Sequence, residues 1–332
     1  MNVPTASPRF PVLLYGVLAG GVGISMFLLA VLLRVVFLVA DPHGRFLPFV
    51  QWLIWCSGMP VVLGIALTLL DLFVLVPRKR MRVGVRWDPP ANPYLTVALT
   101  AYNDESSIGL AVKDFLAHPK VRRVIVVDNN SGDRTSEAAR EAGAIVVLEP
   151  HPGYGSCVLR ALAEASSYSD TEMTLLCEGD MTYRAYDIDK FLAYAPHADI
   201  VNGTRIVEQL RKVRTQLTTF MFYGNLFAGK LMEAKHIGNG TLTDVGTTYK
   251  LCRNSCLHRL LPLLSRDVNL EFNAYFMDQA LAHGYSLVEC PVTFHERVGV
   301  SKGGNASNVR ALRVGLRMIF GVIVSWKPLM RG

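Results

Sequence analysis

Charge is scarce in this sequence. Asp, Glu, Lys and Arg make up 18% of the 332 residues, where an average soluble domain carries about 25%. That shortage excludes a disordered chain and a nucleic-acid-binding arm, both of which need a high charge density. Cysteines at zinc-site or disulfide-framework spacing are missing as well. Cys56, Cys157, Cys177 and Cys290 stand singly and Cys252/Cys256 form one close pair, which is neither the spacing of a zinc site nor a disulfide framework, so all six read as reduced packing residues. His151, His283 and His295 lack a recognisable carboxylate partner in sequence; they read as structural, and no catalytic histidine stands out.

What fills the gap is apolar: 51% of the residues are hydrophobic and the mean hydropathy is +0.28. A globular domain cannot expose such an excess, so it must be localised. Residues 11 to 33 carry no charge and, after Arg34, the apolar run resumes up to Asp41. A second run begins at Leu47, with Trp52 and Trp55 near its start. About 20 apolar residues span a bilayer core and indoles favour its interface, so the expectation is a transmembrane hairpin within residues 1–77, with spans of about 11–40 and 47–76. The first run is too long for a signal peptide and has no basic leader. Arg78, Lys79, Arg80 and Arg82 follow the second span, and the positive-inside bias then puts both chain ends and everything after residue 78 in the cytosol. Residues 78–93 form a basic juxtamembrane linker.

The net charge of +7 is compatible with anionic lipid or phosphorylated substrates, according to where it sits. At the far end, Arg310, Arg313 and Arg317 recur at helical spacing opposite Val309, Leu312 and Leu316. The apolar stretch that follows is too short to span, so residues 305–332 read as an interfacial amphipathic helix. The segment from Leu210 to Lys235 mixes large apolar and basic residues and fits the membrane surface or the core equally well.

Residues 94–304 alternate short β-branched runs with helical periods: 95–100, 124–128, 144–149, 173–178 and 199–204. That alternation predicts a parallel sheet covered by helices, with ligands bound beyond the carboxyl ends of the strands. Acidic and glycine-rich residues cluster at those ends. Asp104 and Asp128 are candidates to hold a ribose or a base ring; Asp133 reads better as a helix cap. Gly153 and Gly155 would let backbone approach a ligand. Glu178 and Asp180, two apart after an apolar strand, suit a hard divalent cation that keeps waters and bridges phosphate oxygens.

Taken in order, these segments resemble glycosyltransferase family 2, in particular the dolichyl- and polyprenyl-phosphate sugar synthases. TAYNDE, VVDNNSGDRT, HPGYGSCVLRAL, CEGDMTY, DIVNGTR, TDVGTTYKL and VECPVTFHERVGVSKGGN follow the family's opening segment, its second acidic segment, its glycine loop, its Asp-x-Asp position and three later motifs. The resemblance implies a GT-A (Rossmann-like) α/β fold, a nucleotide-sugar donor linked to UDP or GDP, Mg²⁺ or Mn²⁺, and an inverting transfer. It implies donor contacts from Ala101, Tyr102, Asp104, Asp128, Gly153, Gly155, Glu178, Gly179 and Asp180, with Asp180 and Glu178 at the metal. Arg205, Arg297 and Lys302 would meet phosphates, and Asp244 would lie near the acceptor.

The sequence departs from the pattern at Glu178, Thr182, Tyr154 and Asn129-Asn130, where the family has the first Asp of its metal motif, a better oxygen ligand, a loop Lys and Asp-Gly. A Gln-x-x-Arg-Trp segment, expected of processive synthases, is missing, which favours a single transfer. The resulting expectation is a membrane-bound transferase that moves one sugar onto a polyprenyl or dolichyl phosphate at the cytosolic face. The alternatives are the same fold acting on a lipid-linked saccharide or another glycolipid, and a non-catalytic nucleotide-sugar-binding scaffold. A lipid phosphate is already a nucleophile at neutral pH; a sugar hydroxyl would need a base, for which Asp244 is the candidate.

Overall fold

Every β-branched run named above becomes a strand. A computed structural model of the chain describes residues 11–41, 43–76, 85–212, 215, 217–237, 239–299, 308–324 and 326–327. They fall into two compact units, one within Arg9–Gly84 and Ala234–Gly238, the other comprising the described residues of Val85–Glu233 and Asn239–Gly332.

The larger unit is built on β1 (Leu95–Ala101), β2 (Val121–Asp128), β3 (Ile145–Leu148), β4 (Met173–Glu178), β5 (Ile200–Thr204), β6 (Lys250–Arg253) and β7 (Leu287–Pro291). They form one sheet in the order β3-β2-β1-β4-β6-β5-β7. β1 is buried throughout and pairs in parallel with β2 on one side and β4 on the other. Helices α3 (Glu105–Leu116), α4 (Thr135–Glu141) and α5 (Tyr154–Ser166) follow the first three strands, as crossovers between parallel neighbours require.

The expected all-parallel sheet needs correcting. β6 and β7 are additional strands, and β6 lies antiparallel to both β4 and β5. The reason is where the chain re-enters: after β5 it stays at the carboxyl edge, so it can return through the sheet only in the opposite sense. Thr248, just before β6, reaches Glu178 at the end of β4. An aromatic group of Tyr183, Tyr249, Phe191 and Phe294, with ring centroids 4.7 to 5.4 Å apart, fills the core beneath that edge.

The smaller unit consists of α1 (Val12–Ala40) and α2 (Leu47–Leu70), the latter extended by a π-turn over Asp71–Leu75. Val12–Ala40 and Leu47–Leu75 are long and apolar enough to cross a membrane, close to the spans expected. The two helices meet along small residues, a feature the hydropathy pattern does not reveal. A Cβ on Gly64 would sit 2.5 Å from the Gly16 carbonyl oxygen, and one on Gly23 2.6 Å from that of Ser57. Close backbone approach of this kind supplies the packing that apolar side chains cannot supply in lipid. The buried Asp71 accepts the Leu13 backbone N–H at 2.8 Å, satisfying one of the orphan donors at the start of α1.

Two further helices lie in the larger unit, the first of them up to Glu233. The 210–235 segment forms α7 (Thr219–Lys235), after α6 (Ile188–Tyr194), and it answers the core-or-surface alternative both ways. Met221, Ala228, Leu231 and Met232 are buried, while Phe220, Tyr223 and Phe227 are exposed. Beyond α8 (Asn254–Leu260) and α9 (Phe272–Ala282), the C-terminal helix α10 (Asn308–Ile323) is amphipathic in an unexpected way. Met318, Val322 and Trp326 are buried, with the Trp326 indole donating to Asp278 at 2.7 Å. Arg317, expected on the solvated basic face, pairs with the buried Glu271 at 2.7 Å. Val309, Leu312, Leu316 and Phe320 remain exposed.

Candidate functional site

Register brings the acidic residues together. Ala101 pairs with Asp128, and Thr100 with Glu178, so three adjacent strands end side by side. The chain then turns sharply after each of them. Asn103, Asn130 and Met181 all have positive φ, at 52°, 62° and 65°. Such conformations are costly for residues other than glycine and cluster at functional sites.

Asp180 sits in the third turn, 1% exposed. Its Oδ1 accepts the Thr182 backbone N–H at 3.0 Å and the Thr182 hydroxyl at 2.5 Å. Thr182 therefore orients Asp180. Its Oδ2 lies 2.8 Å from Arg297 Nη1 without an aligned hydrogen bond. Arg297 Nη2 reaches Asp104 Oδ1 at 2.9 Å, while its Nε is buried without a partner among the described residues. The guanidinium is thus shared among carboxylates rather than solvated.

The segment on either side of Arg297 is pinned stepwise: Thr293 N–H to Asp187 at 2.8 Å, His295 N–H to the Thr182 carbonyl at 2.9 Å and Val298 N–H to the Asp180 carbonyl at 3.0 Å. Lys302 lies outside the described residues.

Burial and the Asp180 charge push Glu178 up to about 7. Two carboxylates, one costly to ionise and the other with a buried oxygen that faces Arg297 but has no aligned hydrogen bond among the described residues, fit a hard divalent cation that completes its shell with phosphate oxygens and water. Among the described residues no third His, Cys, Asp or Glu joins them in a metal-sized cluster.

Asp244 and Arg205 form a buried bidentate pair, with Nε and Nη2 each 2.6 Å from a carboxylate oxygen. Asp244 also accepts the Arg205 and Gly246 backbone N–H groups. Despite the opposing effect of burial, Arg205 holds the Asp244 carboxyl below its ordinary range. Glu289 on β7 fixes the turn, accepting the Thr243 and Asp244 N–H groups at 2.9 and 3.0 Å. Its place in the VECP segment is visible in sequence; its task is not.

The remaining candidates are tied to their own loops. Asp128 accepts Ser131 N–H at 2.9 Å and the Ser136 hydroxyl at 2.5 Å. Asp104 accepts the Tyr102 N–H at 3.1 Å, and the Tyr102 side chain is exposed. Gly179 donates to the Thr100 carbonyl at 3.0 Å. Gly153 N–H goes to Asn129 and Tyr154 N–H to Asn269, so these amides at the start of α5 are engaged within the chain. Gly155 is needed for packing: a Cβ there would lie 1.7 Å from the Val268 carbonyl oxygen. His151 does have a carboxylate partner, Glu149 at 3.1 Å, within the same turn.

A cavity of about 330 Å³ adjoins this cluster. Glu178, Arg205, Arg297 and Tyr154 line its polar part. Phe220, Met221 and Ala228 of α7, with Leu312, Met318 and Ile319 of α10, line the remainder. Thr248 and Asn273, which sequence reasoning missed, stand behind Glu178 and Tyr154. Thr248 lay within a quoted motif; Asn273 gave no signal.

The chain matches the family model described as "Glycosyl transferase family 2" over residues 96–261. It is 28% identical over 209 residues to a dolichyl-phosphate hexose transferase of Haloferax volcanii, covering 63% of this chain and 86% of that protein. It is 37% identical over 116 residues to an uncharacterized glycosyltransferase of Mycobacterium tuberculosis, covering 35% of this chain and 50% of that protein. Among solved structures it is similar to glucosyl-3-phosphoglycerate synthase from Mycobacterium tuberculosis in complex with Mn²⁺, UDP-glucose and glycerol 3-phosphate. That likeness has a TM-score of 0.49 at 16% identity and covers 69% of this chain and 80% of that one. With half its length matched by the family model, and β1 to β4 carrying the acidic turns at their carboxyl ends, the chain belongs to glycosyl transferase family 2.

Proposed function

We propose that this chain transfers a single sugar from a UDP- or GDP-linked donor to a polyprenyl or dolichyl phosphate at the cytosolic surface of a membrane. The observation that carries the reading is the two-sided cavity: charged groups at one part, Glu178, Arg205 and Arg297, and apolar side chains of α7 and α10 at the other. A phosphate on a long hydrocarbon has that division of character. The named activity of the Haloferax volcanii relative supports the same acceptor class, and two helices long enough to span a bilayer support attachment to the membrane.

Transfer breaks the bond between the sugar's anomeric carbon and the donor diphosphate, and the new bond forms from an acceptor oxygen. The departing diphosphate gains charge, so preorganised cations in a dry site lower the barrier most. Arg205, held rigid by Asp244, and Arg297, held by its pinned segment, are those cations in this proposal, with Lys302 as a third. Glu178 and Asp180 would hold Mg²⁺ or Mn²⁺, which supplies further charge neutralisation to the donor phosphates when bound. Asp128, Asp104, Tyr102 and Ala101 would face the nucleoside along the ends of β1 and β2, with Gly153, Gly155 and Gly179 supplying nearby backbone. Asp244 has both oxygens committed to Arg205, which makes it a poor general base. A phosphate acceptor needs none, and this favours it over a sugar hydroxyl.

The test is a panel of labelled UDP- and GDP-sugars incubated with membranes containing the chain and Mn²⁺ or Mg²⁺, followed by mass analysis of the lipids. A polyprenyl-phosphate monosaccharide is expected. Label found solely in a lipid-linked oligosaccharide would overturn the acceptor assignment.

A further inference from the structure

Behind Glu178 lies a chain of neutral hydrogen-bonding groups whose proton directions can be worked out. Lys250 Nζ donates to Asn273 Oδ1 at 3.3 Å, and the Gly246 carbonyl, which can only accept, lies 3.4 Å from Asn273 Nδ2. The Asn273 amide is thereby oriented with its Nδ2 toward Tyr154 Oη at 2.9 Å and Thr248 Oγ1 at 3.2 Å. Tyr154 Oη accepts that proton and gives its own to Thr248 Oγ1, 2.5 Å away. Thr248 in turn donates to Glu178 Oε1 at 2.7 Å. The last of these links ends on the carboxylate.

The arrangement is buried and well anchored. Thr248, Asn273 and Lys250 are 1%, 5% and 1% exposed. Buried hydroxyl and amide groups are tolerated when each finds its partner, and a satisfied network of this kind is rigid. Tyr154 is held at its backbone by Asn269 at 2.7 Å, and the next residue, Gly155, is pressed against the Val268 carbonyl. The backbone that carries the ring is thereby fixed, and the bonds of its hydroxyl to Thr248 and Asn273 hold the ring itself. Burial also keeps the Tyr154 hydroxyl protonated, far above its ordinary range.

We propose that Tyr154, Asn273 and Thr248 are positioning residues that fix the Glu178 carboxylate in its orientation toward the cation site, acting from behind through a chain of neutral donors. This rests on the reading of Glu178 as a metal ligand. It assigns a purpose to Tyr154, the aromatic residue that stands in the HPGYGSC segment where the resembled loop has a lysine. Here the loop contributes orientation instead of charge.

The experiment is Mn²⁺ binding, with the metal alone as probe, to the purified full chain in detergent, followed by electron paramagnetic resonance, with thermal unfolding recorded in parallel. Thr248→Val should weaken binding about tenfold, Thr248→Ser should restore it to within about twofold, and Tyr154→Phe should cost about threefold. Glu178→Gln should lose at least as much as Thr248→Val, and adding Thr248→Val to it should change nothing further. Wild-type binding by Thr248→Val or by Tyr154→Phe, with Glu178→Gln impaired, overturns the positioning role and leaves the ligand reading intact. Wild-type binding by Glu178→Gln overturns the ligand reading, and the positioning role with it. Should Thr248→Val fail to fold, Tyr154→Phe, which keeps the ring, decides the matter alone.

Discussion

A carboxylate can act as a base only if it has an oxygen to spare, and Asp244 has none. Its pairing with Arg205 is buried on both sides, at 5% side-chain exposure each, so removing one partner strands the other's charge. Asp244→Ala should cost about 3–5 kcal/mol of stability in denaturant unfolding, and adding Arg205→Met should recover part of that loss. The pH dependence has a definite sign. The folded-state value lies below the ordinary 3.8, so as pH falls the unfolded chain takes up this proton first. The pair's contribution is complete above that range and is lost as pH drops through the depressed value. Asp180 is engaged more loosely, with one oxygen held by Thr182 and the other facing Arg297 without an aligned hydrogen bond among the described residues. Asp180→Ala should reduce sugar transfer by about two to three orders of magnitude, the scale at which removing one preorganised electrostatic group acts, while leaving expression and membrane insertion intact. Near-normal turnover would refute its assignment to the metal. Asp104, Asp128, Glu178 and Asp180 were legible as candidates because each closes a β-branched run. Their partners were not, since Arg297 reaches Asp104 across 193 positions of sequence.

Elements set what those residues can do. The turn into α5 looks in sequence like a glycine cradle for a ligand, yet Gly155 answers to the Val268 carbonyl. Gly155→Ala should destabilise the fold by about 1–3 kcal/mol, as overpacking does, read as a lower midpoint of unfolding. In the hairpin, Gly64→Leu should separate α1 from α2, because its Cβ would meet the backbone of Gly16 and Gly20 at 2.5 Å. Engineered cysteine pairs across the seam would then lose their crosslinking yield. The hydropathy of 11–40 and 47–76 gave the existence of these helices, but hydropathy averages over faces and cannot show which residues touch. The same blindness explains α10. Its arginines and leucines alternate as an interfacial helix should, yet Arg317 and Trp326 turn inward to Glu271 and Asp278, whose positions depend on where α9 lies.

For the molecule as a whole, the proposed topology, which rests on the basic run 78–82, has the larger unit in the cytosol. Protease added to sealed, outward-facing cells should leave an epitope at the C-terminus intact and cleave it after permeabilisation; cleavage before permeabilisation would reverse the orientation. Folding also buries a lysine, and desolvation pushes Lys250 down to about 7 from 10.5. Between those values the unfolded chain holds a proton that the folded chain lacks, so this residue makes stability rise with pH across that window. Lys250→Met should flatten the rise, gaining most over the wild type at and below pH 7. By itself the sequence determined the apolar spans, five strands, the order of the motifs and hence the family, because these depend on local periodicity and spacing along one chain. Tertiary structure alone decided the antiparallel β6, the binding of Asp244 to Arg205, the sharing of Arg297 among carboxylates and the route from Lys250 to Glu178. Each of those is a contact between distant segments, fixed by the direction in which the chain re-enters the sheet and by the cost of burying polar and charged groups unpaired.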